Sequence, residues 1–305
     1  MLTSDLNVVL KVAEFRSIKK AAESLDLLSA TASAALMRVE KSLGVELFQR
    51  STRQLKVSPE GERFIPKIEQ ALLLLSQIEQ DSKNERGIID GEIRLAAPSD
   101  LGRNFVVDWL DEFIDAYPEV SLKLHISDSV VDFYREPVDI GLRYGEPKDA
   151  RIYGFKICEV PRILCASPSY LEKFGQPQHP DELVNHNGLI YQLHDIAHDT
   201  WEFSRSDEKF KIKMKSNRMT NDAELVHRWC LSGKGIALKS SLDMSADLLN
   251  GSLVRLLPDY SPVGTELWLI CPSKQLITPA IRELRDHLTT KCKGIMDELE
   301  RNCSR

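Results

Sequence analysis

Three features are scarce in this chain of 305 residues: long apolar runs, closely spaced cysteines and an excess of positive charge. The longest apolar runs, such as Ala71–Leu75, span five residues, whereas a membrane-spanning helix needs about 20. No charged-then-apolar stretch with a cleavage site, the mark of a secreted protein, occurs near the start of the sequence. We therefore expect a cytoplasmic protein with no membrane partner.

The six cysteines form neither a CxxC pair nor a metal-ligand spacing. Cys158 and Cys165 lie in apolar strand patterns, so we expect buried core thiols. The alternative is a redox-sensing regulator that uses these thiols or Cys230, which requires an exposed thiol of low pKa and a resolving partner. His194 and His198 have the i, i+4 spacing of helical metal ligands, but no third ligand is near them in sequence. We expect no metal and no cofactor.

The net charge of −6 hides an uneven distribution of charge along the chain. Residues 1–60 carry nine Lys/Arg and seven Asp/Glu, whereas the rest of the chain carries 31 and 39. Because phosphate binding depends on where the cations lie, the overall balance does not exclude a nucleic-acid partner. We find no Ser- or Cys-based triad and no carboxylate pair with a pocket, so we expect a protein that is not an enzyme. An enzyme fused to a DNA-binding module is the alternative.

The stretch from Ser17 to Gly61 has the pattern of two helices, a tight turn and a basic hairpin. Ser17 and Ser29 are placed to cap the N-termini of the two helices. The second helix is predicted over residues 29–43. Its buried face is predicted from apolar side chains at three- and four-residue spacing, namely Ala32, Leu36, Val39 and Leu43.

The opposite face of this second helix begins with short side chains and ends with cations, which suits a helix that lies in the major groove of DNA. Ala30 and Ala34 are placed to contact thymine methyl groups. The neighbouring hydroxyl groups are placed to form hydrogen bonds with the bases. The hairpin that follows, LFQRSTRQLKVS, adds cations for phosphates or the adjacent minor groove. The predicted DNA contacts are Ser29, Ala30, Thr31, Ser33, Ala34, Met37, Arg38, Lys41, Arg50 and Arg53.

This segment resembles the winged helix-turn-helix of LysR-type transcriptional regulators across ATASAALMRVEKSLGVELFQRSTRQLKVSPEGE. The family pattern falls on Ala22, Ser33, Val39, Glu40, Leu43, Gly44, Leu47, Phe48, Arg50, Leu55, Ser58 and Gly61. Val39 replaces the usual leucine, and Asp26 stands where the family has a residue that tolerates a left-handed turn, as aspartate does. The resemblance implies a winged helix-turn-helix DNA-binding domain over residues 1–58.

A linker helix with a hinge is predicted over residues 59–88. The sequence Ser58-Pro59-Glu60 combines a cap, a proline at the first helical position and an acid in the first turn. The helix then carries a heptad seam made of Phe64, Ile68, Ala71, Leu75 and Ile78. This seam packs either on its own domain or on a partner helix, and the resemblance favours a partner in a homodimer or homotetramer. A two-fold dimer reads an imperfect inverted repeat in double-stranded DNA; RNA polymerase is a further candidate partner.

From Glu92 to the end, strand and helix patterns alternate, which predicts an α/β domain with largely parallel strand pairing. The predicted strands are 120–126, 138–142, 155–158, 162–166, 188–191, 235–238 and 266–271. Helices are predicted at about 103–117, 222–232 and 276–300. The segment 84–90, which is polar and contains Gly87, separates this half from the linker helix.

This half resembles the family's effector-binding domain at GEIRLAAPSDLGR, VDIGLRYG, RILCASPSYL, NDAELVHRWCLSGKGIAL and PAIRELRDHL. The resemblance implies the two-lobed α/β fold of periplasmic binding proteins over residues 89–305. The strands that cross between the lobes are expected near Pro161–Cys165 and Glu266–Leu269. Lobe I then comprises about 89–162 and 268–305, and lobe II about 163–267. The chain as a whole is predicted to be a multidomain α/β protein.

A ligand site is predicted between the lobes, because open α/β sheets bind ligands beyond the carboxyl ends of their strands. Helix starts at this edge, together with the fork of Arg143, suit a small anionic metabolite as effector. The predicted contacts are Ser99, Asp100, Leu101, Ser127, Arg143, Tyr144, Asn221 and Asp222. The alternative is that these are ordinary helix caps and an internal ion pair. A DNA-binding protein without any effector is a further alternative.

Overall fold

The computed structural model describes residues 2–50, 55–84, 89–129, 133, 138–149, 152–193 and 196–303. The chain forms two compact units, Met1–Ile88 and Ile89–Arg305. Each unit has a hydrophobic core of its own. Within the ranges just given, no helix is both long enough and apolar enough to cross a membrane.

The first unit consists of helices and a two-stranded antiparallel hairpin. Its elements are α1 (Thr3–Phe15), α2 (Ile18–Ser24), α3 (Ser29–Leu43), β1 (Phe48–Arg50), β2 (Leu55–Val57) and α4 (Pro59–Asn84). Ser17 caps α2 as predicted, since its side chain accepts a hydrogen bond from the backbone N–H of Lys20. The prediction that Ser29 caps α3 is wrong. Leu28 takes the N-cap position, because its carbonyl accepts the first helical hydrogen bond, from the N–H of Ala32 at 3.1 Å.

The apolar face of α3 lies in the core of the first unit, as predicted. Ala32, Leu36 and Val39 are buried, and Leu43 packs against the same cluster. The turn between α2 and α3 contains Asp26 at φ 52°, which is the left-handed conformation expected of this position. The core therefore holds α3 with its opposite face directed away from the other helices.

Helix α4 buries one part of its apolar seam and exposes another. Ile68 is buried in the core of the first unit, and Phe64 packs against that core. Farther along the helix, Leu74, Leu75 and Ile78 expose 50%, 42% and 66% of their surface. Packing within its own domain thus accounts for the first part of the seam only.

The second unit begins with the strands and helices of the first lobe. These elements are β3 (Gly91–Ala97), α5 (Ser99–Leu101), α6 (Val107–Ala116), β4 (Val120–Ile126), β5 (Ile140–Tyr144) and β6 (Tyr153–Val160). A π-helical turn, Gly102–Val106, joins α5 and α6 into one continuous helical segment, residues 99–116. This segment starts earlier than the predicted helix, because only Pro98, its N-cap, separates Ser99 from β3.

The second lobe and the return to the first lobe contain the remaining elements. They are β7 (Arg162–Ala166), α7 (Pro168–Phe174), β8 (Asn187–Leu193), β9 (Ile196–Ala197), β10 (Thr200–Arg205), β11 (Glu208–Lys213), β12 (Lys215–Thr220), α8 (Ala223–Leu231), β13 (Ala237–Ser240), α9 (Ser245–Leu249), β14 (Val254–Leu256), β15 (Ser261–Pro262), β16 (Thr265–Cys271) and α10 (Pro279–Cys303). Short 3-10 helices occur at Pro180–Asn185 and Lys274–Leu276.

Lobe I is a five-stranded sheet with the order β4-β3-β5-β16-β6, packed against α6 and α10. Lobe II contains the three-stranded sheets β13-β7-β14, β12-β8-β9 and β11-β10-β15. Strand β3 pairs in parallel with β4 and β5, and β8 with β12. The prediction of largely parallel pairing is wrong, because the returning strand β16 lies antiparallel to both β5 and β6, and β10 and β11 form a hairpin.

The described chain passes between the lobes at two places. Pro161 separates β6 of lobe I from β7 of lobe II, within the predicted range. The return lies at residues 263–264, between β15 and β16, and not at the predicted Glu266–Leu269. That range lies inside β16, whose pairing with β6 already begins at Thr265 opposite Val160.

Candidate DNA-binding face and effector cavity

Helix α3 presents the predicted DNA contacts on the side that faces away from its core. The exposed or half-buried residues on this side are Ser29, Ala30, Thr31, Ser33, Ala34, Met37, Arg38 and Lys41. The first turn of α3 also offers backbone N–H groups that no described side chain caps. Such groups bind phosphate favourably, because the helix dipole places partial positive charge there.

Arg38 is held by a carboxylate of its own unit. Its Nε and a terminal guanidinium nitrogen donate hydrogen bonds to Asp5 at 3.0 and 2.6 Å, and Asp5 is only 3% exposed. The hydrogen bond from Arg38 outweighs burial and holds the pKa of Asp5 below its usual range. The guanidinium group of Arg38 joins α3 to α1 through Asp5. We therefore assign Arg38 a role in positioning α3, in addition to its predicted DNA contact.

The hairpin β1–β2 is fixed to α3 by Glu40. The Oε1 of Glu40 accepts hydrogen bonds from the backbone N–H groups of Leu47 at 2.7 Å and Phe48 at 3.2 Å. The sequence pattern matched Glu40 without assigning it this role. Arg53 and the side chain of Arg50 lie outside the described part of the chain, so their predicted DNA contacts stay predictions.

A cavity of about 280 Å³ lies between the two lobes of the second unit. Ser127, Arg143 and Tyr144 are the predicted effector contacts that line it. The lining also includes polar side chains that the sequence did not single out, among them Asp128, Arg162, Tyr191, His198, Thr200 and Lys239. Arg162 is the most informative of these, because it stands at the start of β7, directly after the crossing at Pro161.

Two arginines give the cavity positive charge. The Nε of Arg143 is buried, and it donates no hydrogen bond to any described residue. Arg162 is half-buried, and burial lowers its pKa. In the described ranges, no carboxylate forms an ion pair with either arginine. An anionic ligand would replace the hydrogen bonds that burial removes from these guanidinium groups.

A larger cavity of about 500 Å³ lies near the two crossings and has the opposite charge. Its lining includes the carboxylates of Glu146, Glu159, Glu266 and Glu300. Like charge would repel an anion from this larger cavity.

The other predicted effector contacts lie away from the cavity lining. The hydroxyl of Ser99 donates to Asp128 at 2.6 Å, and Asp222 caps α8 by accepting from the N–H of Leu225 at 2.9 Å. The side chain of Leu101 is fully buried in the core of lobe I, and Asn221 is exposed. Helix geometry explains Leu101, since it lies one turn into a segment whose apolar face packs on the sheet.

Asp100 belongs to a buried charged cluster that joins the lobes. Its carboxylate pairs with the Nζ of Lys239 and with the Nδ1 of His227 at 2.9 Å. The Nε2 of His227 lies 2.9 Å from Asp247, so both ring nitrogens meet carboxylates and the imidazole is charged. Burial alone would lower the pKa of His227, but the hydrogen bond and charge of Asp100 outweigh it and raise that pKa. Asp100 thus holds the lobes together, and its side chain is fully buried.

Five cysteines, Cys158, Cys165, Cys230, Cys271 and Cys292, are buried and free, as predicted for Cys158 and Cys165. A hydrogen bond with Cys230, together with burial, raises the pKa of Cys165, whereas a hydrogen bond with Cys292 lowers that of Cys158. Among the residues that the structure covers, no group of His, Cys, Asp and Glu side chains could hold a metal ion. His194 lies outside them.

A helix-turn-helix with a basic hairpin, followed by a two-lobed α/β unit with a cavity between its lobes, defines a class of ligand-responsive DNA-binding proteins. Residues 3–62 match the model of the bacterial regulatory helix-turn-helix protein, lysR family. Residues 86–293 match the model of the LysR substrate binding domain. The chain belongs to the LysR family.

Relatives and solved structures agree over nearly the whole chain. The HTH-type transcriptional regulator DmlR of Escherichia coli K12 is 30% identical over 281 residues, which cover 92% of this chain and 91% of DmlR. Full-length AphB, a virulence activator of Vibrio cholerae, is 26% identical with a TM-score of 0.58, covering 95% of this chain and 99% of AphB. CrgA, a LysR-type regulator from Neisseria meningitidis, is 25% identical with a TM-score of 0.59, covering 98% and 99%. The protein is a transcriptional regulator with an effector-binding domain.

Proposed function

We propose that this protein binds a specific DNA sequence through α3 and responds to a small anionic metabolite held between the lobes. The observation that carries the effector part is the presence of two arginines without ion-pair partners, Arg143 and Arg162, among the described residues of one cavity. A volume of about 280 Å³ suits a metabolite of a few carbon atoms. The effector binds through a carboxylate or a similar group that accepts hydrogen bonds from these guanidinium groups.

The effector site is tested by screening small anionic metabolites for a rise in the melting temperature of the second unit. Arg162→Met and Arg143→Met should then bind the best metabolite about 30-fold more weakly or worse, because each loses a charge-assisted hydrogen bond. Arg255→Met, an exposed arginine on β14, is the matched control and should bind as wild type does. Wild-type binding by both cavity variants would rule out this site.

DNA binding is tested with operator fragments selected from genomic DNA. Lys41→Ala should weaken binding to all sequences and reduce the slope of log affinity against log salt by about one, because one phosphate contact is lost. Ser33→Arg should abolish or change the selected sequence, because a long side chain enters the face that approaches the bases. Lys11→Ala, on α1, is the control for the loss of a surface lysine. An unchanged operator affinity in both α3 variants would contradict the proposal that this face of α3 binds DNA.

The working form is proposed to be a homodimer or homotetramer that reads an imperfect inverted repeat. The support is the exposed seam of α4, whose Leu74, Leu75 and Ile78 are large apolar side chains on the surface. RNA polymerase is a candidate partner of a regulator bound at a promoter. A protein that acts on a bacterial chromosome works in the cytoplasm, which is the location proposed here.

Redox sensing and catalysis are less favoured functions. Buried thiols react slowly with peroxides, and Cys158, Cys165 and Cys230, the candidate sensors, are buried. The relatives are transcriptional regulators, which supports a protein that is not an enzyme. Turnover of the bound metabolite during incubation would favour the enzyme.

A further inference from the structure

The carboxylate of Asp128 lies where helices of both lobes begin. Its Oδ1 accepts a hydrogen bond from the backbone N–H of Ser99 at 2.8 Å. Its Oδ2 accepts two more, from the hydroxyl of Ser99 and from the backbone N–H of Ala223, both at 2.6 Å. Ser99 opens the helical segment 99–116 of lobe I, and Ala223 is the first residue of α8 in lobe II. One side chain therefore satisfies N–H groups at the start of both helices.

These contacts are the ones that a ligand carboxylate would make at this place. Helix starts attract anions through the helix dipole and through N–H groups without helical partners. The sequence-based prediction counted Ser99 and Asp222, which lie at these helix starts, among the contacts of an anionic effector. Asp128 follows β4 and lines the interlobe cavity, so its carboxylate borders the space available to an effector. The anion position is filled by the chain itself.

We infer that Asp128 determines the specificity of the effector site by filling this anion position, so that an effector carboxylate is admitted only beside Arg143 and Arg162. The part about specificity rests on the proposed function, because it assumes that the cavity binds an effector. An effector with a second carboxylate directed at Asp128 is rejected by like-charge repulsion. A hydroxyl or ammonium group is accepted there, because a carboxylate can accept about four hydrogen bonds and Asp128 uses three.

The same carboxylate also stabilises the contact between the lobes, which makes its role measurable without knowing the effector. Beside it, the hydroxyl of Ser99 accepts from the N–H of Glu224 at 3.2 Å, and Arg103 pairs with Glu224 at 2.6 Å. Removal of the Asp128 carboxylate leaves the N–H groups of Ser99 and Ala223 without an acceptor. A small carboxylate from solution can then take its place.

The experiment measures the melting temperature of the second unit in the full-length protein, with chloride replaced by formate at constant ionic strength. Asp128→Gly should melt lower than wild type in chloride and recover more than half of the loss in formate, with saturation. Asp128→Ser, which keeps a polar side chain of smaller volume, should show the same recovery and serves if Asp128→Gly does not fold. Asp128→Asn should not recover, because its side chain still fills the position.

The outcomes are distinct. A gain in Asp128→Gly or Asp128→Ser that clearly exceeds the gain in wild type and in Asp128→Asn supports the inference. An equal gain in wild type overturns the inference. So does the absence of recovery in whichever of Asp128→Gly and Asp128→Ser folds. The rescue is the gain in excess of wild type, which has the same Arg143 and Arg162. It can therefore succeed when the arginine variants contradict the proposed function, and fail when they support it.

The specificity itself is tested with acetate, malonate and succinate as probes in the same assay. Asp128→Ser should bind at least one of the two dicarboxylates about tenfold more tightly than wild type does, because a second carboxylate gains charge-assisted hydrogen bonds at the helix starts. Acetate affinity at the arginines should change less than this. Unchanged preference among the three probes in Asp128→Ser would overturn the role of Asp128 in specificity.

Discussion

At the scale of single residues, Gly61 explains one fixed position of the family pattern. Its N–H donates to the hydroxyl of Ser58 at 2.8 Å, and that hydroxyl donates to the carbonyl of Glu46 at 2.5 Å. A Cβ on Gly61 would lie 2.2 Å from the carbonyl oxygen of Leu47 and 2.7 Å from the Cγ1 of Val57. The start of α4 therefore packs too closely against the hairpin to leave room for a side chain at Gly61. The hydroxyl of Ser58 links the first turn of α4 to the residues just before the hairpin.

Gly61→Ala should destabilise the first unit by about 2 kcal/mol or more, because the added methyl meets a backbone oxygen that cannot move independently of the hairpin. Operator affinity should fall with it, since the hairpin and α3 are joined through Glu40. Differential scanning calorimetry and DNA binding measure both effects. Gly294→Ala, in α10, is the control, because no atom lies within 4 Å of its added Cβ and alanine favours a helix. A first unit as stable in Gly61→Ala as in wild type would contradict the close contact.

At the scale of elements, α4 combines two packing roles in one helix. It has 26 residues, which correspond to roughly 39 Å of helix. Its first part contributes Phe64 and Ile68 to the core of the first unit, whereas Leu74, Leu75 and Ile78 remain exposed. A monomer gains nothing from three large apolar side chains in water, so the second part favours a partner helix.

Ile78→Asp should weaken self-association of the full-length protein at least about tenfold, because a charge enters the apolar seam. Sedimentation velocity over a range of concentrations measures this change. Glu69→Lys is the control, because at 100° per residue Glu69 projects from the other side of α4. Its association should match wild type. Equal association of Ile78→Asp and wild type would show that the seam is not an interface.

At the scale of the whole second unit, a charged cluster is buried where the two lobes meet. Asp100 from lobe I contacts His227 and Lys239 from lobe II, and Lys239 also lies 3.5 Å from Asp243. The hydroxyl of Tyr144 donates to Asp243 at 2.5 Å. Burial, only partly offset by the charge of Lys239, raises the pKa of Asp243 to about 6. The contact between lobes is thus sensitive to protonation.

The stability of the second unit should fall as the pH rises through the folded-state pKa of His227. That pKa is raised above 6.5, so the stabilisation is complete below this value and is lost at higher pH. Asp243 acts in the same direction between about pH 4 and 6, because its pKa is also raised on folding. His227→Gln should flatten the dependence of melting temperature on pH above about pH 6.5. Equal slopes in variant and wild type would contradict a charged His227.

Elements with a strong local pattern could be predicted closely, and strand directions could not. Helix α3 and strands β4 and β7 lie at the predicted residues, because alternation and three- to four-residue spacing are local properties. The pairing direction of β16 depends on where the chain returns from lobe II, which no local pattern encodes. Ser29 was misassigned for a related reason, since a cap is the residue just before the first helical one. Ser29 is itself the first helical residue, and the extended Leu28 precedes it.

The sequence by itself determined the family, the two faces of α3, the start of α4 and the alternation of strands and helices in the second unit. Each of these follows from residues close together in the chain. Only the tertiary structure decided which polar groups meet. Asp128 reaches Ser99 across 29 positions and Ala223 across 95, and Arg162 joins Arg143 in one cavity. Side chains so far apart in sequence are brought together by the packing of two lobes, and this packing set the charge of the cavity between them.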